Sequence, residues 1–320
     1  MKILFVSPRY YPHVGGAEYV VKSIAERLAK MGHEVVVLAG EPEIEMPKEE
    51  DINGVRVVRW PVWSPDDAYH IPKALKRLET FVRDETKVAD VVHLHSVHSI
   101  FTIYTLRALK GADVRKVLTP HYHGTGHTPI RKTLWILWRD AVRRLLKHVN
   151  IIHAVSMYEA SLIERHFVQK PVIIEHGVEE WITSVQWRPE NYIMYSGRIE
   201  KYKNIHRLAN IVKILNKKGY DLELRIFGDG PYKKELGKHL QRTGIKYMMA
   251  PPQPYEKYIE TLSHASLFVL LSEKEAFGQT INEANAIGTP AVAAEPWGKN
   301  FADRPRTLII SLTEPDELIA

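Results

Sequence analysis

Short runs of valine, isoleucine and leucine alternate with longer amphipathic stretches along almost the whole chain. This alternation predicts buried strands of a parallel sheet, each followed by a helix that covers the sheet. In the first half the predicted strands are Lys2–Ser7, Val35–Leu38, Val55–Trp60, Val91–His95, Val117–Thr119, Ile151–Val155 and Val172–Ile174. The predicted helices of this half are Ala17–Met31, Pro72–Lys87, His98–Lys110, Lys132–Val149 and Met157–Arg165.

The same alternation starts again near residue 191 and predicts a second α/β domain. Its predicted strands are Tyr192–Tyr195, Leu222–Phe227, Lys246–Met249, Leu267–Leu271, Ala291–Ala293 and Leu308–Ile310, and its predicted helices are Ile205–Lys218, Tyr232–Arg242, Tyr255–His264 and Thr280–Ile287. We therefore expect two Rossmann-like doubly wound domains, 1–180 and 191–320, joined by a polar linker at 181–190. Ligands of such sheets bind at the carboxyl ends of the strands, so we expect a site in a cleft where the two domains face each other.

The composition narrows the class of function. The 320 residues include no cysteine, which excludes disulfides, cysteine-ligated metal centres and cysteine nucleophiles. The apolar start of the chain is too short for a signal peptide, and no stretch is long enough to span a bilayer. We therefore expect a cytoplasmic protein. The net charge of +6 suits a phosphate-bearing ligand or an anionic membrane, and no nucleic-acid motif accompanies it, so nucleic acid is not an expected partner.

A glycine pair, Gly15-Gly16, lies between the first predicted strand and the first predicted helix. Glycine lets the backbone approach an anion closely, and a helix start offers N–H groups and the positive end of the helix dipole. The pair is equally compatible with phosphate binding and with a tight turn. It does not match the G-x-G-x-x-G pattern of dinucleotide-binding proteins, so a dinucleotide cofactor is not predicted.

Two basic residues, Arg198 and Lys203, follow the first predicted strand of the second domain. An arginine fork and a mobile lysine ammonium at the carboxyl end of a strand can hold a diphosphate and stabilise the charge that it gains as a leaving group. The alternative is ordinary surface charge. Their position at the strand end favours the diphosphate clamp.

The most informative segment is Ser272–Pro290, which runs from a buried strand through a loop into a short helix. Glu275 is expected on the loop and Glu283 in the first turn or so of the helix. One carboxylate can accept hydrogen bonds from sugar hydroxyls, and the other can hold the vicinal diol of a ribose. Between them the backbone at Gly278, Gln279 and Thr280 can present N–H groups to a phosphate. The alternative is that the two glutamates are a solvated loop charge and a helix-dipole partner.

This segment resembles the signature of two glutamates separated by seven residues in the retaining glycosyltransferases of glycosyltransferase family 4, which have the GT-B fold. Other stretches of the chain agree with that family in the expected order. They resemble its glycine-rich first loop, its Pro-Asn-Gly-Val-Asp turn, its Arg/Lys pair and its Gly-Asp-Gly-Pro turn, at Pro12–Glu18, Glu175–Glu179, Gly197–Lys203 and Phe227–Pro231 respectively. The resemblance covers nearly the whole chain.

The resemblance implies a role for each matching position. Glu275 would contact the donor sugar, and Glu283 would bind the nucleotide ribose. Arg198 and Lys203 would neutralise the departing diphosphate, with Gly16 supporting it from the first domain. His121 matches the histidine that the family places beside the donor sugar. No cofactor or metal is implied beyond the donor substrate itself, a UDP-, GDP- or ADP-hexose.

The chain also departs from the family pattern. Asn204 replaces the common glycine after Lys203, and Glu295–Phe301 stands where the family usually has a glycine-rich loop with an acidic residue. Family members normally add further helices, so we expect a second domain that is short at its carboxyl terminus.

Histidines are concentrated at a predicted strand end and in a predicted loop. Polar residues that line a cleft explain both groups as well as a metal site does. The two groups are His93, His95 and His98, and His121, His123 and His127. No acid or cysteine lies at supporting ligand spacing, so a metal site is not predicted.

The segment Arg131–Lys147 has an apolar face that includes Leu134, Trp135, Leu137 and Trp138, and a basic opposite face. This pattern favours a helix packed on the core with a solvated basic side. A helix lying on an anionic membrane is the alternative, which would suit a lipid-linked acceptor.

The expected reaction moves a hexose from a nucleoside-diphosphate sugar to a hydroxyl of a glycan, a glycolipid or a small molecule, with retention of configuration and without a metal. Three alternatives stay open: a phosphorylase or sucrose-synthase-like enzyme, a nucleotide-sugar 2-epimerase, and a non-catalytic nucleotide-sugar binder. The sequence identifies neither the base, the sugar, the acceptor nor the oligomeric state.

Overall fold

The structure is a computed structural model that describes residues 1–13, 15–65, 69–124, 126 and 129–313. Contacts between Cα atoms divide the chain into two compact units. Unit 1 comprises Met1–Glu175, and unit 2 begins at His176. His127, one of the histidines considered above, lies outside the described residues.

Unit 1 contains a twisted, mostly parallel sheet. Among the described residues its strands are β1 (Lys2–Ser7), β2 (Glu34–Glu41), β3 (Lys48–Ile52), β4 (Val55–Trp63), β5 (Ile71–Pro72), β6 (Val91–His95), β7 (Arg115–Thr119), β8 (Ile151–Ala154) and β9 (Val172–Ile173). They lie in the order β3-β4-β2-β1-β6-β7-β8-β9, with β5 beside β4. The short strands β3 and β5 are antiparallel to β4, and the other pairs are parallel.

Helices cover both faces of this sheet. They are α1 (Gly16–Lys30), α2 (Leu75–Thr86), α3 (Ile100–Ala108), α4 (Pro129–Leu146) and α5 (Met157–Phe167). Successive strand residues point to opposite faces, and β1 shows this alternation clearly. Leu4 and Val6 belong to one hydrophobic cluster, whereas Ile3 and Phe5 belong to the other. An apolar run without polar interruption is therefore what a strand buried on both faces requires.

Unit 2 repeats the architecture with a fully parallel sheet in its described residues. Its strands are β10 (Glu190–Ser196), β11 (Glu223–Phe227), β12 (Tyr247–Ala250), β13 (Ala265–Leu270), β14 (Ala291–Ala294) and β15 (Thr307–Ile310), in the order β12-β11-β10-β13-β14-β15. Its α-helices are α6 (Ile205–Lys217), α7 (Lys233–Thr243), α8 (Tyr255–Ser263) and α9 (Gln279–Ile287). Short 3₁₀ helices occur at Glu180–Ser184, Lys201–Lys203 and Trp297–Phe301.

The strand order of each unit reverses beside its first strand, which is the Rossmann topology. In unit 1 the reversal lies between β1 and β6, and in unit 2 between β10 and β13. At such a point the loops that leave the two neighbouring strands run to opposite faces and leave a crevice at the carboxyl ends. The loops after β10 and β13 are the ones that carry Arg198, Lys203 and Glu275.

Helix α4 corrects one prediction. The sequence placed Leu134 and Leu137 on the apolar face, but these side chains are 55% and 71% exposed. At 3.6 residues per turn, Leu137 lies about 200° around the helix from Trp135 and therefore faces away from the core. Among the described side chains of α4, Trp135, Val142 and Leu146 belong to the core, and the partly buried Trp138 and Leu145 pack against it.

Within the described ranges, no helix has both the length and the apolar character that crossing a membrane requires.

Candidate active site

A buried ion pair joins the two loops at the strand reversal of unit 2. The ammonium of Lys203, in the 3₁₀ turn after β10, contacts the Oε1 atom of Glu275, in the loop after β13. The side chains are 11% and 20% exposed. The structure thus brings together two of the residues that the sequence selected, which are 72 positions apart.

The electrostatics of this pair keep the lysine charged. Burial by itself would lower the pKa of Lys203, but the charge of Glu275 and the nearby hydroxyls of Tyr202 and Tyr195 outweigh it, and the pKa lies above its usual value. The ammonium also lies 5.0 Å from the centre of the Tyr202 ring, a cation–π contact. A lysine in this setting provides a permanent, fixed positive charge.

Asn204 explains one departure from the family pattern. Its backbone has φ 56°, in the left-handed region, which favours glycine but which asparagine also adopts. Its side-chain amide donates to the carbonyl of Leu271 at 3.0 Å, and the Glu273 N–H donates to the carbonyl of Tyr202 at 3.0 Å. Asparagine therefore satisfies the turn and also ties the Lys203 loop to the Glu275 loop.

Arg198 lies on the same loop as Lys203 but has a different partner. Its Nε atom is 3.1 Å from a carboxylate oxygen of Glu200, and its side chain is 52% exposed. Its carbonyl accepts a hydrogen bond of 2.8 Å from the buried hydroxyl of Tyr195. The backbone at Arg198 is thus fixed, while the guanidinium lies in a solvated position.

The turn after β11 supports this loop from behind. The N–H of Ile199 donates to the carbonyl of Asp229 at 2.8 Å. Glycine is needed at Gly230 because its φ is 156° and an added Cβ would lie 2.5 Å from the carbonyl oxygen of Ile199. The Gly-Asp-Gly-Pro turn is therefore a close backbone support for the loop that carries Arg198.

The start of α9 is shaped by Gly278. Its φ is 106°, and an added Cβ would lie 2.6 Å from the Trp297 ring, so any side chain there would be strained and crowded. Trp297 in turn donates to the carbonyl of Ser272 at 2.6 Å and is fully buried. The segment Glu295–Phe301, which departs from the family pattern, thus packs the Trp297 ring against Gly278 in the predicted phosphate loop.

Gln279 and Thr280 occupy the first two positions of α9, where backbone N–H groups have no partner within the helix. The side-chain amide of Gln279 donates to the carbonyl of Gly177 at 3.0 Å, and that of Asn282 to the carbonyl of His176 at 2.8 Å. The Glu175–Glu179 turn is therefore anchored in part on α9 through the carbonyls of His176 and Gly177.

Glu283, the fifth residue of α9, is only 3% exposed. Its two carboxylate oxygens accept hydrogen bonds from the hydroxyls of Tyr255, at 2.9 Å, and Tyr258, at 2.8 Å. Burial raises the pKa of Glu283 to about 7, although the bonds from Tyr258, Tyr255 and Gln279 favour the ionised form. The sequence missed the two tyrosines, because they lie 28 and 25 positions earlier on α8.

In unit 1 the predicted glycine pair lies at the start of α1. Gly15 precedes the helix in an extended conformation, and Gly16 is its first residue. An added Cβ at Gly16 would meet nothing within 4 Å, so the backbone there borders open space. Gly16 is therefore placed where an anion can approach the helix start, whereas an added Cβ at Gly15 would lie 2.2 Å from the Glu18 carboxylate. The unstrained backbone does not itself require glycine at Gly16.

His121 lies at the carboxyl end of β7, with φ 48°, and its Nε2 atom is 3.1 Å from Nδ1 of His95 at the end of β6. The neighbouring His93 is hydrogen-bonded to Thr119 at 2.8 Å, and burial with the nearby His153 lowers its pKa to about 3. Among the residues that the structure describes, no three histidine, aspartate or glutamate side chains are arranged to hold a metal ion.

The predicted residues thus fall into distinct groups. In unit 2, Lys203 and Glu275 touch, and Gly278 begins the helix that follows Glu275. Arg198 shares the Lys203 loop but pairs with Glu200, and Glu283 is buried beneath α8. The remaining predicted residues lie in unit 1: Gly15, Gly16 and His121.

Family comparisons agree with this architecture. Residues 14–180 match the model of Glycosyltransferase Family 4, and residues 178–299 match that of Glycosyl transferases group 1. The chain belongs to glycosyltransferase family 4 and is an enzyme of the hexosyltransferase class. A curated relative, N-acetyl-alpha-D-glucosaminyl L-malate synthase of Bacillus anthracis, is 24% identical over 311 residues, which cover 90% of this chain and 78% of the relative.

Solved structures show that the chain has the GT-B fold, with two Rossmann-like domains. Sucrose-phosphate synthase of Thermosynechococcus elongatus aligns with a TM-score of 0.78 at 18% identity, over 99% of this chain and 87% of that one. HepE of Anabaena, solved in complex with UDP and glucose, aligns with a TM-score of 0.71 at 17% identity, over 99% and 88%. The predicted fold class and family are therefore confirmed.

The raised pKa of Glu283 predicts a pH-dependent stability. Because the folded chain binds this proton more tightly than the unfolded chain, protonation stabilises the fold, and the stabilisation is lost as the pH rises from about 4.5 to about 7. Relative to Glu283→Gln, the free energy of unfolding of the wild type should fall by up to about 3 kcal/mol across that window. Urea unfolding at several pH values measures this difference.

Glu260→Gln is the matched control, since Glu260 lies exposed on α8 and the pKa of its carboxyl is lowered by Lys257. The free energies of unfolding of Glu260→Gln and of the wild type should fall together across that window, because both proteins retain Glu283. Parallel pH curves for the wild type and Glu283→Gln would show that the carboxyl titrates normally.

Proposed function

We propose that this chain is a retaining, metal-independent glycosyltransferase that moves a hexose from a nucleoside-diphosphate sugar to an acceptor hydroxyl. The acceptor belongs to a glycan, a glycolipid or a small molecule. The observation that carries this proposal is the buried contact of Lys203 with Glu275 at the strand reversal of unit 2. We assign the donor to the second domain, 191–320, and the acceptor side to the first, 1–180, with 181–190 as the linker.

Lys203 is suited to bind the diphosphate of the donor. An ammonium has three donors, of which Glu275 takes one and the Tyr202 hydroxyl another, so one remains for a phosphate oxygen. The first N–H groups of α9, at Gly278, Gln279 and Thr280, add the positive end of a helix dipole on the same loop. The guanidinium of Arg198, half-exposed on the other loop, supplies a second cation to the leaving group.

The two glutamates suit hydroxyl groups. Glu275 is held by Lys203 with one oxygen and can accept a donor-sugar hydroxyl with the other. A carboxylate accepts about four hydrogen bonds, and Glu283 accepts from Tyr255, Tyr258 and the Gln279 amide. The remaining lone pair can accept a ribose hydroxyl, and the two tyrosines fix the orientation of the carboxylate for that purpose.

Unit 1 supplies groups of complementary chemistry. The open backbone at Gly16 and the start of α1 suit the negative charge of the diphosphate. The imidazole of His121, at a strand end, suits a hydroxyl of the donor sugar. The donor is a UDP-, GDP- or ADP-hexose; UDP is the nucleotide bound in the Anabaena structure.

Retention is what the family resemblance implies, and the lack of a suitable nucleophile among the assigned residues then favours same-face attack over a covalent glycosyl-enzyme intermediate. Glu275 is paired with Lys203, and Glu283 lies buried between two tyrosines. The bond between the anomeric carbon and the diphosphate oxygen therefore breaks, and the acceptor oxygen bonds to the anomeric carbon from the same face. The acceptor proton passes to the departing diphosphate. Catalysis then rests on positioning and charge stabilisation, which the fixed cations provide without a metal.

Removing the cations tests the clamp. Arg198→Ala and Lys203→Ala should each lower kcat by roughly 10²–10³-fold with a UDP-, GDP- or ADP-hexose, the scale of a lost transition-state donor. Lys201→Ala is the control, because Lys201 is an exposed lysine in the same 3₁₀ turn. Product analysis by NMR in the presence of EDTA reports turnover, the anomeric configuration and the need for a metal together.

Lys203→Ala leaves the Glu275 carboxylate buried without its partner, which is itself destabilising. The double variant Lys203→Gln/Glu275→Gln keeps two neutral groups in hydrogen-bonding reach and separates loss of charge from loss of fold. Near-wild-type turnover in the folded double variant and in Arg198→Ala would contradict the clamp. An inverted product, free sugar phosphate or an epimerised nucleotide sugar would each replace the proposed reaction by another.

We further propose that α4 makes peripheral contact with an anionic membrane, at the cytoplasmic side, where a lipid-linked acceptor is presented. Leu134, Ile136 and Leu137 are 55%, 59% and 71% exposed, and the following turns expose Arg143 and Arg144. Apolar residues followed by cations on the exposed side of a helix match a lipid surface of opposite charge.

Vesicle binding tests this contact. The wild-type chain should sediment with phosphatidylglycerol vesicles at low salt and not with phosphatidylcholine vesicles, because both the apolar and the cationic groups of α4 are needed. Ile136→Asp/Leu137→Asp should abolish sedimentation. Met31→Asp, which changes an exposed methionine elsewhere in unit 1, should retain it. Equal sedimentation of all three proteins would exclude α4 as the contact.

A further inference from the structure

The ends of β6 and β7 are locked together beside His121. The two strands are parallel neighbours in which His95 pairs with Thr119. The N–H of Ser96 then donates to the carbonyl of Thr119 at 2.9 Å, and the N–H of Val97 to the carbonyl of Pro120 at 3.0 Å. The two chains that leave the sheet here therefore hold each other in register beyond the last strand residues.

Both turns use backbone conformations that side chains other than glycine rarely adopt. Ser96 has φ 71° and His121 has φ 48°. Such conformations are unfavourable and persist only where the surroundings determine them, and they concentrate at functional sites. The strained residue at the end of β7 is the same histidine that the proposed function assigns to the donor sugar.

The backbone next to His121 is fixed by a buried carboxylate. Glu159 has no exposed surface, and its two oxygens accept hydrogen bonds from the N–H groups of Tyr122 and Val155. It thereby joins the turn after β7 to the turn after β8. Burial raises the pKa of Glu159 to about 8, while these two backbone bonds favour its ionised form. The backbone of His121 therefore has little freedom, and its ring position depends on contacts of the ring itself.

His95 contacts that ring. Its Nδ1 atom lies 3.1 Å from the Nε2 atom of His121, and the two ring planes are inclined by 27° with centroids 5.4 Å apart, so the rings meet edge to edge. His95 is itself rigid, because it is 1% exposed and its ring lies against Phe5 and His93 at 5.9 and 4.3 Å. The hydroxyl of Thr102 donates to its carbonyl at 2.7 Å.

A hydrogen bond between two imidazole nitrogens couples the tautomers of both rings. One nitrogen must carry a proton and the other must offer a lone pair, and a neutral imidazole carries only one N–H. Whichever nitrogen of His95 is protonated therefore decides which nitrogen of His121 is protonated. The other nitrogen of His121 thereby takes the complementary state, as a donor or as an acceptor.

We propose that His95 is a positioning residue that fixes the ring orientation and the tautomer of His121. This inference rests on the proposed function for its catalytic meaning, since His121 is assigned there to the donor sugar. Its structural content concerns unit 1 alone and can be measured without substrate.

The test compares the full-length wild type with His95→Phe, which keeps an aromatic ring but removes both nitrogens. Long-range ¹H–¹⁵N correlation spectra report the protonation of the two ring nitrogens of His121. The wild type should show a single neutral tautomer of His121, and His95→Phe should show exchange between two tautomers. Donor turnover should fall by at least about tenfold in kcat, with a change of less than about threefold in the donor KM.

His95→Asn is the rescue variant, because the amide of asparagine places a hydrogen-bonding atom near the position of Nδ1. It should restore the single tautomer and most of kcat, and it keeps the test informative if the phenylalanine variant fails to fold. His153→Phe is the control, since His153 is a neighbouring histidine on β8 that bonds Thr119 and the Ile174 carbonyl rather than His121. It should leave the His121 spectrum unchanged.

Two results would overturn the inference. One is an unchanged His121 tautomer in folded His95→Phe, and the other is a changed tautomer with wild-type kcat. Failure of the proposed function has a different signature: His121→Ala would then turn over the nucleotide sugar at the wild-type rate, whatever the spectra of the His95 variants show.

Discussion

A lysine ammonium that is almost fully buried is stable only when a carboxylate accompanies it, and in unit 2 that carboxylate comes from another loop. Because Lys203 follows β10 and Glu275 follows β13, their contact requires these strands to be neighbours in the sheet. The Rossmann strand order makes them neighbours, and the bonds of Asn204 and Glu273 hold the two loops in register. The pair is therefore a consequence of the topology as well as a candidate ligand group.

In both units, polar side chains connect the loops that follow two neighbouring strands. In unit 2 a charge pair bridges the loops of neighbouring strands, and in unit 1 two imidazoles, His95 and His121, do so. Each bridge adjoins or includes a residue other than glycine in the left-handed region: Asn204 follows Lys203, and His121 is itself one of the two imidazoles. Left-handed backbone conformations of residues other than glycine concentrate at functional sites. Their presence at both polar bridges is consistent with a functional role for these strand ends.

Much of the fold was predictable because parallel strands buried on both faces must be apolar. The predicted strands Lys2–Ser7 and Val91–His95 agree with the structure at both ends. Strand β3 was missed because Lys48–Ile52 is mostly charged and pairs at the antiparallel edge, where neither face needs a continuous apolar run. Leu137 on α4 was assigned to the core wrongly, because an exposed leucine has the same sequence signal as a buried one.

The sequence predicted which residues belong to the candidate site, but not which of them contact each other. Motif spacing selected Lys203 and Glu275, and the strand order then explains why they meet. The tyrosines that hold Glu283 carry no motif, and the contact depends on how α8 packs on α9, which local sequence does not encode. The roles of the selected residues toward a ligand stay predictions, and so does the metal independence.

Ligand-induced stabilisation tests most directly whether the Lys203–Glu275 crevice is a nucleotide-sugar site. Thermal unfolding of the wild-type chain is followed with UDP-, GDP- and ADP-hexoses at millimolar concentration, with EDTA present throughout. At about 100 times its Kd a ligand adds about 2.7 kcal/mol to the free energy of unfolding, enough for a clear rise in Tm. One nucleotide family should raise the Tm of the wild type and not that of Lys203→Gln/Glu275→Gln. A Tm unaffected by every donor, or raised equally in both proteins, would contradict the assignment of the donor to this crevice.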